Sequence, residues 1–219
     1  MKKNNEKYAI IDVYEKMKGS KNMKKELTFK VEIEGLEDKI WREIKISDDM
    51  NVADLAYTIL ATFNSICTHL YSITHGETIY DCVIDSFNEN DENYLDATKI
   101  KLKDVDFNKN NNMIMEYDFG STITFIITYL KEEQSTTNKY PIIVDGRGQG
   151  MIEDISGYEL IEIVETTDKS GKSKYYYTPG YGKKKLYDYR DFNLENNIKE
   201  VNKNFKKIKQ GLEDQQFWF

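Results

Sequence analysis

Histidine is scarce in this chain. His69 and His75 lie six apart in "HLYSITH", and on a strand that even separation puts both on one face. A metal ion held there needs a third ligand, such as Asp118 or Asp154. His69, Asp118 and Asp154 are therefore the residues that would carry metal- or phosphate-dependent chemistry. Asp118 also opens an Asp-Phe-Gly tripeptide, which anchors magnesium in protein kinases. A kinase needs a glycine-rich loop, a strand lysine and a catalytic-loop Asp and Asn as well, and no such set precedes Asp118 with the proper spacing. The plainer reading is a sheet corner, with Asp118 bonding nearby backbone N–H groups and Gly120 supplying the unusual φ.

Two other stretches invite a binding role. "DGRGQG" at 145–150 suggests a phosphate cradle with Arg147 as anion partner, but it lacks the Lys-Ser/Thr of a P-loop. It reads instead as a flexible connection tethered by Asp145. In "KSGKSKYYYTPGYGKKKLYDYR", 169–190, tyrosines 175, 177 and 181 interleave with lysines 183–185. Tyr175, Tyr177, Tyr181, Lys183, Lys184 and Lys185 are thus candidate binding residues, since aromatic faces and cations can hold single-stranded nucleic acid. The same composition describes a solvated hairpin whose tyrosines pack on the sheet. A net charge of −7 and a pI near 5.1 oppose nucleic acid at long range, so packing is the favoured reading. Phe217, Trp218 and Phe219 close the chain as anchors of the kind found in interfaces. Cys67 and Cys82 have no zinc spacing and are expected as reduced thiols in or near the core.

The elements that must position these residues follow from periodicity. Leu27, Phe29, Val31 and Ile33 alternate, as do Ile40, Arg42 and Ile44 after a short turn, which predicts a hairpin. Val52, Leu55, Ala56, Ile59, Leu60 and Phe63 recur at three and four, a helix capped by Asn51 with Asp54 in its first turn. Strands are expected at "HLYSITHG" and "TIYDCVID", an edge-like segment at "KIKLKDV", and two strands joined near Asp118. Ser156 and Glu159 form a capping box for a further helix. Leu194, Ile198, Val201, Phe205, Ile208 and Leu212 draw an apolar stripe on a long last helix, expected to fold back on its own sheet.

The fold class is therefore α+β: a β-grasp-like mixed sheet packed on one helix, with helical additions at the C-terminal end. The chain divides into a tail at 1–25, a main domain at 26–168, a basic hairpin or loop at 169–192, and a helix with an aromatic tail at 193–219. No stretch approaches ~18 consecutive apolar residues, and the lysine-rich start lacks the apolar core of a signal peptide. A cytoplasmic setting is expected.

In order, "LEDKIWREIKISDDMNVADLAYTILATF", "HLYSI", "MEYDFGSTITFII", "YPIIVDGRGQGMIEDISGYELIEIV" and "DFNLENNIKEVN" resemble the plasmid pRiA4b ORF-3-like family. The resemblance spans Leu27 to Asn202. It implies a fold and a setting on plasmids or transposable elements, without an activity. Where the family usually carries Asp and Trp after Tyr-Asp-Phe-Gly, this chain has Ser121 and Ile123. The family's loop cysteines and prolines are absent too, although Glu153, Asp154, Gly157 and Tyr158 remain.

The expected function is a non-catalytic protein-binding or adaptor role in a plasmid, phage or transposon, including an acidic inhibitor of a host nucleic-acid enzyme. No cofactor or metal is expected, the partner is a protein, and membrane binding is not expected. The alternative is a metal- or phosphate-dependent enzyme or nucleic-acid-processing factor using His69, Asp118 and Asp154.

Overall fold

The computed structural model describes residues 24–83, 88, 91–177 and 184–215. The first alternating run forms β1 (Lys25–Ile33) and the second β2 (Trp41–Ser47), paired antiparallel from Glu26–Ser47 to Glu32–Trp41. Asn51 then starts helix α1 (Val52–Thr62) with a reciprocal capping box. Its side chain accepts from the Asp54 N–H, while the Asp54 carboxylate accepts from the Asn51 N–H. The N–H groups of Val52 and Ala53 donate to the carbonyls of Ile100 and Ala97. The helix start can therefore be buried without stranding its donors. Every residue of α1 is buried. Tyr57 meets Tyr71, and Phe63 just past the helix meets Phe125, both edge-on, so α1 lies against the sheet.

The sheet continues with β3 (Tyr71–His75), β4 (Thr78–Asp81), β5 (Tyr94–Asp96), β6 (Asn112–Tyr117), β7 (Ile123–Gln134) and β8 (Ile142–Arg147). Eight strands run in the order β5-β4-β3-β6-β7-β1-β2-β8. Pairing is antiparallel except between β4 and β5. The molecule is α+β with a mixed sheet. β1 has antiparallel neighbours on both sides, so the finer β-grasp likeness goes no further than a sheet packed on a helix.

Two local expectations change. "KIKLKDV" gives no regular strand: Lys101 makes a single bridge to Asn51, and Leu102–Asp104 is one 3₁₀ turn. The Leu102 N–H donates to the Met50 carbonyl, so the segment braces the start of α1. "DGRGQG" is no free connection either, because Asp145–Arg147 ends β8, an edge strand on β2. Its glycines serve close approach. A Cβ on Gly150 would lie 2.0 Å from the Phe63 carbonyl oxygen, and one on Gly148, at φ +79°, 2.2 Å from that of Lys39.

The same corner holds Arg42, fully buried on the same face as Ile44. Its guanidinium donates to the carbonyls of Thr62, Trp41, Arg147 and Gly148 at 2.7–3.2 Å. It lies 4.8 Å from the Phe63 ring centre and 4.0 Å from that of Phe192. Burial pulls its pKa down to about 9, so it stays a cation at neutral pH. It ties β2, the end of α1 and the loop after β8 together without any carboxylate.

Helix α2 (Gly157–Ser170) begins with the expected Ser156–Glu159 capping box and stops at Gly171, φ +67°. The hairpin β9 (Lys174–Tyr177) and β10 (Lys184–Tyr187) follows. Helix α3 (Leu194–Gln215) folds back, but chiefly onto α1 and only at β8 onto the sheet that was expected to receive it, burying Val201, Phe205, Ile208 and Leu212. Each such side chain contributes about 1.5–3 kcal/mol of burial. Lys209 reaches the buried Asp54 at 2.8 Å, which clamps α3 onto α1.

Candidate functional site

His69 does not sit on a strand. β3 begins at Tyr71, and His69 lies in the loop that leaves α1, a loop bent by positive φ at Asn64 (64°) and Cys67 (59°). The shared strand face with His75 is therefore lost. His75 instead meets the Asn110 carbonyl at 2.7 Å, away from the cluster.

Asp118 occupies the turn between β6 and β7. Its Oδ1 accepts from the Gly120 N–H at 3.1 Å, as a turn residue should. The unusual φ belongs to Asp118 itself, at +60°, rather than to Gly120. Its own N–H donates to the Leu70 carbonyl, which places the turn beside His69. Asp154 precedes α2, and it too has a left-handed backbone, φ +61°. The Gly157 N–H donates to the Thr122 carbonyl and so draws the start of α2 against the same turn.

These three segments bring their side chains together. His69 Nε2 is 2.8 Å from Asp154 Oδ1, and Nδ1 is 3.5 Å from Asp118 Oδ1. One ligand atom from each residue lies within 4.8 Å of the others. All three side chains are partly exposed, between 13% and 31%. A neutral imidazole carries one N–H and can satisfy only one of two facing carboxylates. The remaining carboxylate oxygens are open to solvent or to a ligand, apart from the Gly120 N–H that donates to Asp118 Oδ1. One imidazole nitrogen and two carboxylate oxygens suit a first-row divalent ion, with remaining positions left to water or substrate.

Beneath this cluster lies a second one. Tyr117 and Glu153, the residues immediately before the two aspartates, turn inward and hydrogen-bond to each other. Glu153, 8% exposed, also accepts from the Ile66 N–H at 2.9 Å and the Ser65 hydroxyl at 3.1 Å. The Thr68 N–H donates to the Tyr117 oxygen. Burial, then the bond to Glu153, pushes the Tyr117 phenol far above its usual range, so it remains a donor. The inner pair holds the 65–68 segment, and with it His69. Sequence patterning missed this pair. Its visible signal was adjacency, since Tyr117 directly precedes Asp118 and Glu153 directly precedes Asp154.

A cavity of about 380 Å³ opens beside the cluster, walled by Tyr57, Leu70, Val83, Phe119 and Leu212. Cys82 also borders it. Burial pushes the Cys67 and Cys82 thiols up to about 12, so neither is a ready nucleophile. A larger groove, about 590 Å³, is lined by residues that include Ile66, Glu153, Tyr176, Lys185 and Leu186.

The other binding candidates divide. Tyr175 and Lys185 are exposed on the hairpin, and Tyr177 and Lys184 lie in its two strands. Tyr181, Lys183, Phe217, Trp218 and Phe219 lie outside the described residues, as does nearly all of the expected 1–25 tail. Tyr187 and Tyr189 do pack, both buried. Tyr187 donates to the Gln149 and Gly150 carbonyls, and Tyr189 to Asp168.

A family profile, plasmid pRiA4b ORF-3-like protein, matches residues 25–196. The chain belongs to the plasmid pRiA4b ORF-3-like family. The match takes in every residue of the cluster and of the pair beneath it, but ends near the start of α3. Leu212, one wall of the cavity, is therefore outside the part this family member shares with the profile. No curated protein matches the chain. Among solved structures it resembles the crystal structure of MM3350 from Methanosarcina mazei Go1, a protein of unknown function. The TM-score is 0.58 at 22% identity, over 67% of this chain and 83% of that one. At that identity the likeness shows the fold alone. Among the described residues, no helix is long and apolar enough to cross a membrane.

Proposed function

We propose that this protein is a divalent-cation-dependent hydrolytic enzyme whose metal ligands are His69, Asp118 and Asp154. The observation that carries the reading is the convergence of these three side chains from three separate segments. Asp adopts a left-handed backbone more readily than most non-glycine residues, because its side chain bonds nearby backbone, as Asp118 does with the Gly120 N–H. The left-handed turns at Asp118 and Asp154 aim both carboxylates at His69. A cation there would activate a water molecule. The water oxygen would bond to an electrophilic phosphorus or carbon, the bond to the leaving group would break, and the water's proton would pass to that group.

The test is calorimetric titration of the apo protein with Zn²⁺, Mn²⁺ and Mg²⁺, followed by assay of the loaded protein on activated phosphate and carboxylate esters. One ion per chain is expected, lost in Asp118→Ala and Asp154→Ala. Equal affinity in parent and variants would remove the metal site, and a loaded protein inert on every ester would remove the enzyme.

A second reading keeps the protein-binding or adaptor role in a cytoplasmic, mobile-element setting, including inhibition of a basic host nucleic-acid enzyme. It is supported by exposed apolar side chains in the larger groove, Leu186 (55%) and Ile66 (51%), and by exposed Tyr175 (68%) on the hairpin. Displacement of nucleic acid from a purified basic enzyme by this protein would sustain it, and unchanged activity of that enzyme at saturation would count against it.

A further inference from the structure

The cavity of about 380 Å³ is joined to the cluster by shared residues, because His69 and Asp118 line it themselves. The rest of its wall is mainly apolar: Tyr57, Leu70, Val83, Phe119 and Leu212. These side chains come from α1, the residue before β3, the segment after β4, the Asp118 turn and α3. The volume lies at the lower end of the range for sites that enclose a small organic molecule. Tyr57 stands one turn beyond Asp54 on α1, and Leu212 one turn beyond Lys209 on α3. The 2.8 Å ion pair between Asp54 and Lys209 therefore holds the two helices together next to this wall.

Exposure and charge narrow the ligand. Tyr57 and Leu212 are buried, whereas Phe119, next to Asp118 in the turn, is 53% exposed. A large ring left half in water on the wall of an apolar cavity gains burial when a ligand fills it. Among the described residues that line the cavity, Asp118 is the one carboxylate and none is Lys or Arg. A phosphoester is an anion at neutral pH, and sites that take one supply Arg, Lys or oriented N–H groups. Here its charge would lie between apolar walls and the Asp118 carboxylate. A carboxylic ester is neutral and brings no charge to bury.

We infer that the substrate of this site is a neutral carboxylic ester carrying a compact apolar group. That group fills the cavity between Tyr57, Val83, Phe119 and Leu212, and the ester carbonyl lies at the end lined by His69 and Asp118. The reaction needs only water as co-reactant. The water oxygen bonds to the carbonyl carbon, the C–O bond to the alcohol breaks, the departing oxygen takes the water's proton, and nothing is oxidised or reduced. An acid and an alcohol result. The chemistry rests on the proposed metal-dependent reading, whereas the choice of ligand rests on the cavity, so the two can fail separately.

The experiment has a binding arm and a turnover arm. Butyranilide, the amide counterpart of phenyl butyrate, is titrated into the protein in EDTA and followed by ligand-observed NMR. The parent binds it saturably. Phe119→Ser removes an apolar wall and Val83→Phe fills the space, so each weakens butyranilide binding about tenfold and keeps the parent's cation affinity. Circular dichroism confirms that both variants are folded. With the cation loaded, the parent turns over phenyl butyrate with a higher kcat/KM than phenyl phosphate, and both variants raise KM for the butyrate. Absence of butyranilide binding by the parent, equal affinity in parent and both variants, or a preference for phenyl phosphate would overturn the inference even if the cation binds. Butyranilide binding without any cation site would sustain the cavity as the seat of a neutral apolar ligand and overturn the metal-dependent reading instead.

Discussion

Arg42 and His69 both place polar atoms at the margin of the core, and they are supplied with partners in opposite ways. The Arg42 guanidinium is fully buried, and it meets four carbonyls and two aromatic faces. Four of its five N–H groups have partners, and the groups it holds are all parts of the scaffold. His69 stands partly open to solvent between two carboxylates that one imidazole cannot both satisfy. Two left-handed aspartates hold that arrangement in place. Under the proposed reading, the Arg42 set serves stability and the more open His69 set serves a ligand. The difference teaches that burial of charge alone does not distinguish the two; what sets the His69 cluster apart is two carboxylates facing one imidazole beside a cavity.

The largest effect that can break this contrast lies at Arg42. Replacing it with Met takes the guanidinium donors from four carbonyls, two of them in fully buried bonds, and about 4 kcal/mol of stability is expected to go. Urea unfolding measures it, and a loss below about 1 kcal/mol would mean that the guanidinium is not what holds this corner. Asp118→Gly and Asp154→Gly sharpen the other side. Each removes a ligand and relieves a positive φ, so cation affinity should fall about tenfold or more. Stability should stay within about 1 kcal/mol of the parent or rise. A large loss of stability in both would make the cluster structural after all.

A smaller effect is expected one layer down. Tyr117→Phe keeps every proposed ligand but removes the donor to Glu153, costing about 1–2 kcal/mol. It should also lower cation affinity about tenfold, through the loosened 65–68 segment. Binding unchanged in a destabilised variant would show that the inner pair only packs. Acid should weaken cation binding as well, because every proposed ligand must be deprotonated to bind; titration at several pH values checks the direction. The smallest effect concerns the thiols. Burial raises both to about 12, so Cys67 and Cys82 should react slowly with a thiol reagent until the protein unfolds, in parent and variants alike.

Much of the scaffold could be read along the chain, because it depends on neighbours in sequence. Alternation marked β1 and β2, the three-and-four spacing marked α1 and α3, and both capping boxes lay within four residues of their partners. The family could be read too, from the order of its segments. Arg42 stood between Ile40 and Ile44 on an apolar face, a signal that its role was inside. The candidate residues His69, Asp118 and Asp154 could be named from their types, but His69 was placed on a strand and on a shared face with His75, which lies outside the cluster.

The sequence by itself determined the strands, the helices and their caps, since these are set by periodicity and by side chains that bond to nearby backbone. Only the tertiary structure decided which carboxylates face His69. That choice depends on three turns, 36 to 85 residues apart in the chain, and on backbone angles that residue type permits but does not require. Tertiary packing fixes those angles when the Leu70 and Thr122 carbonyls take their donors from the segments that carry Asp118 and Asp154.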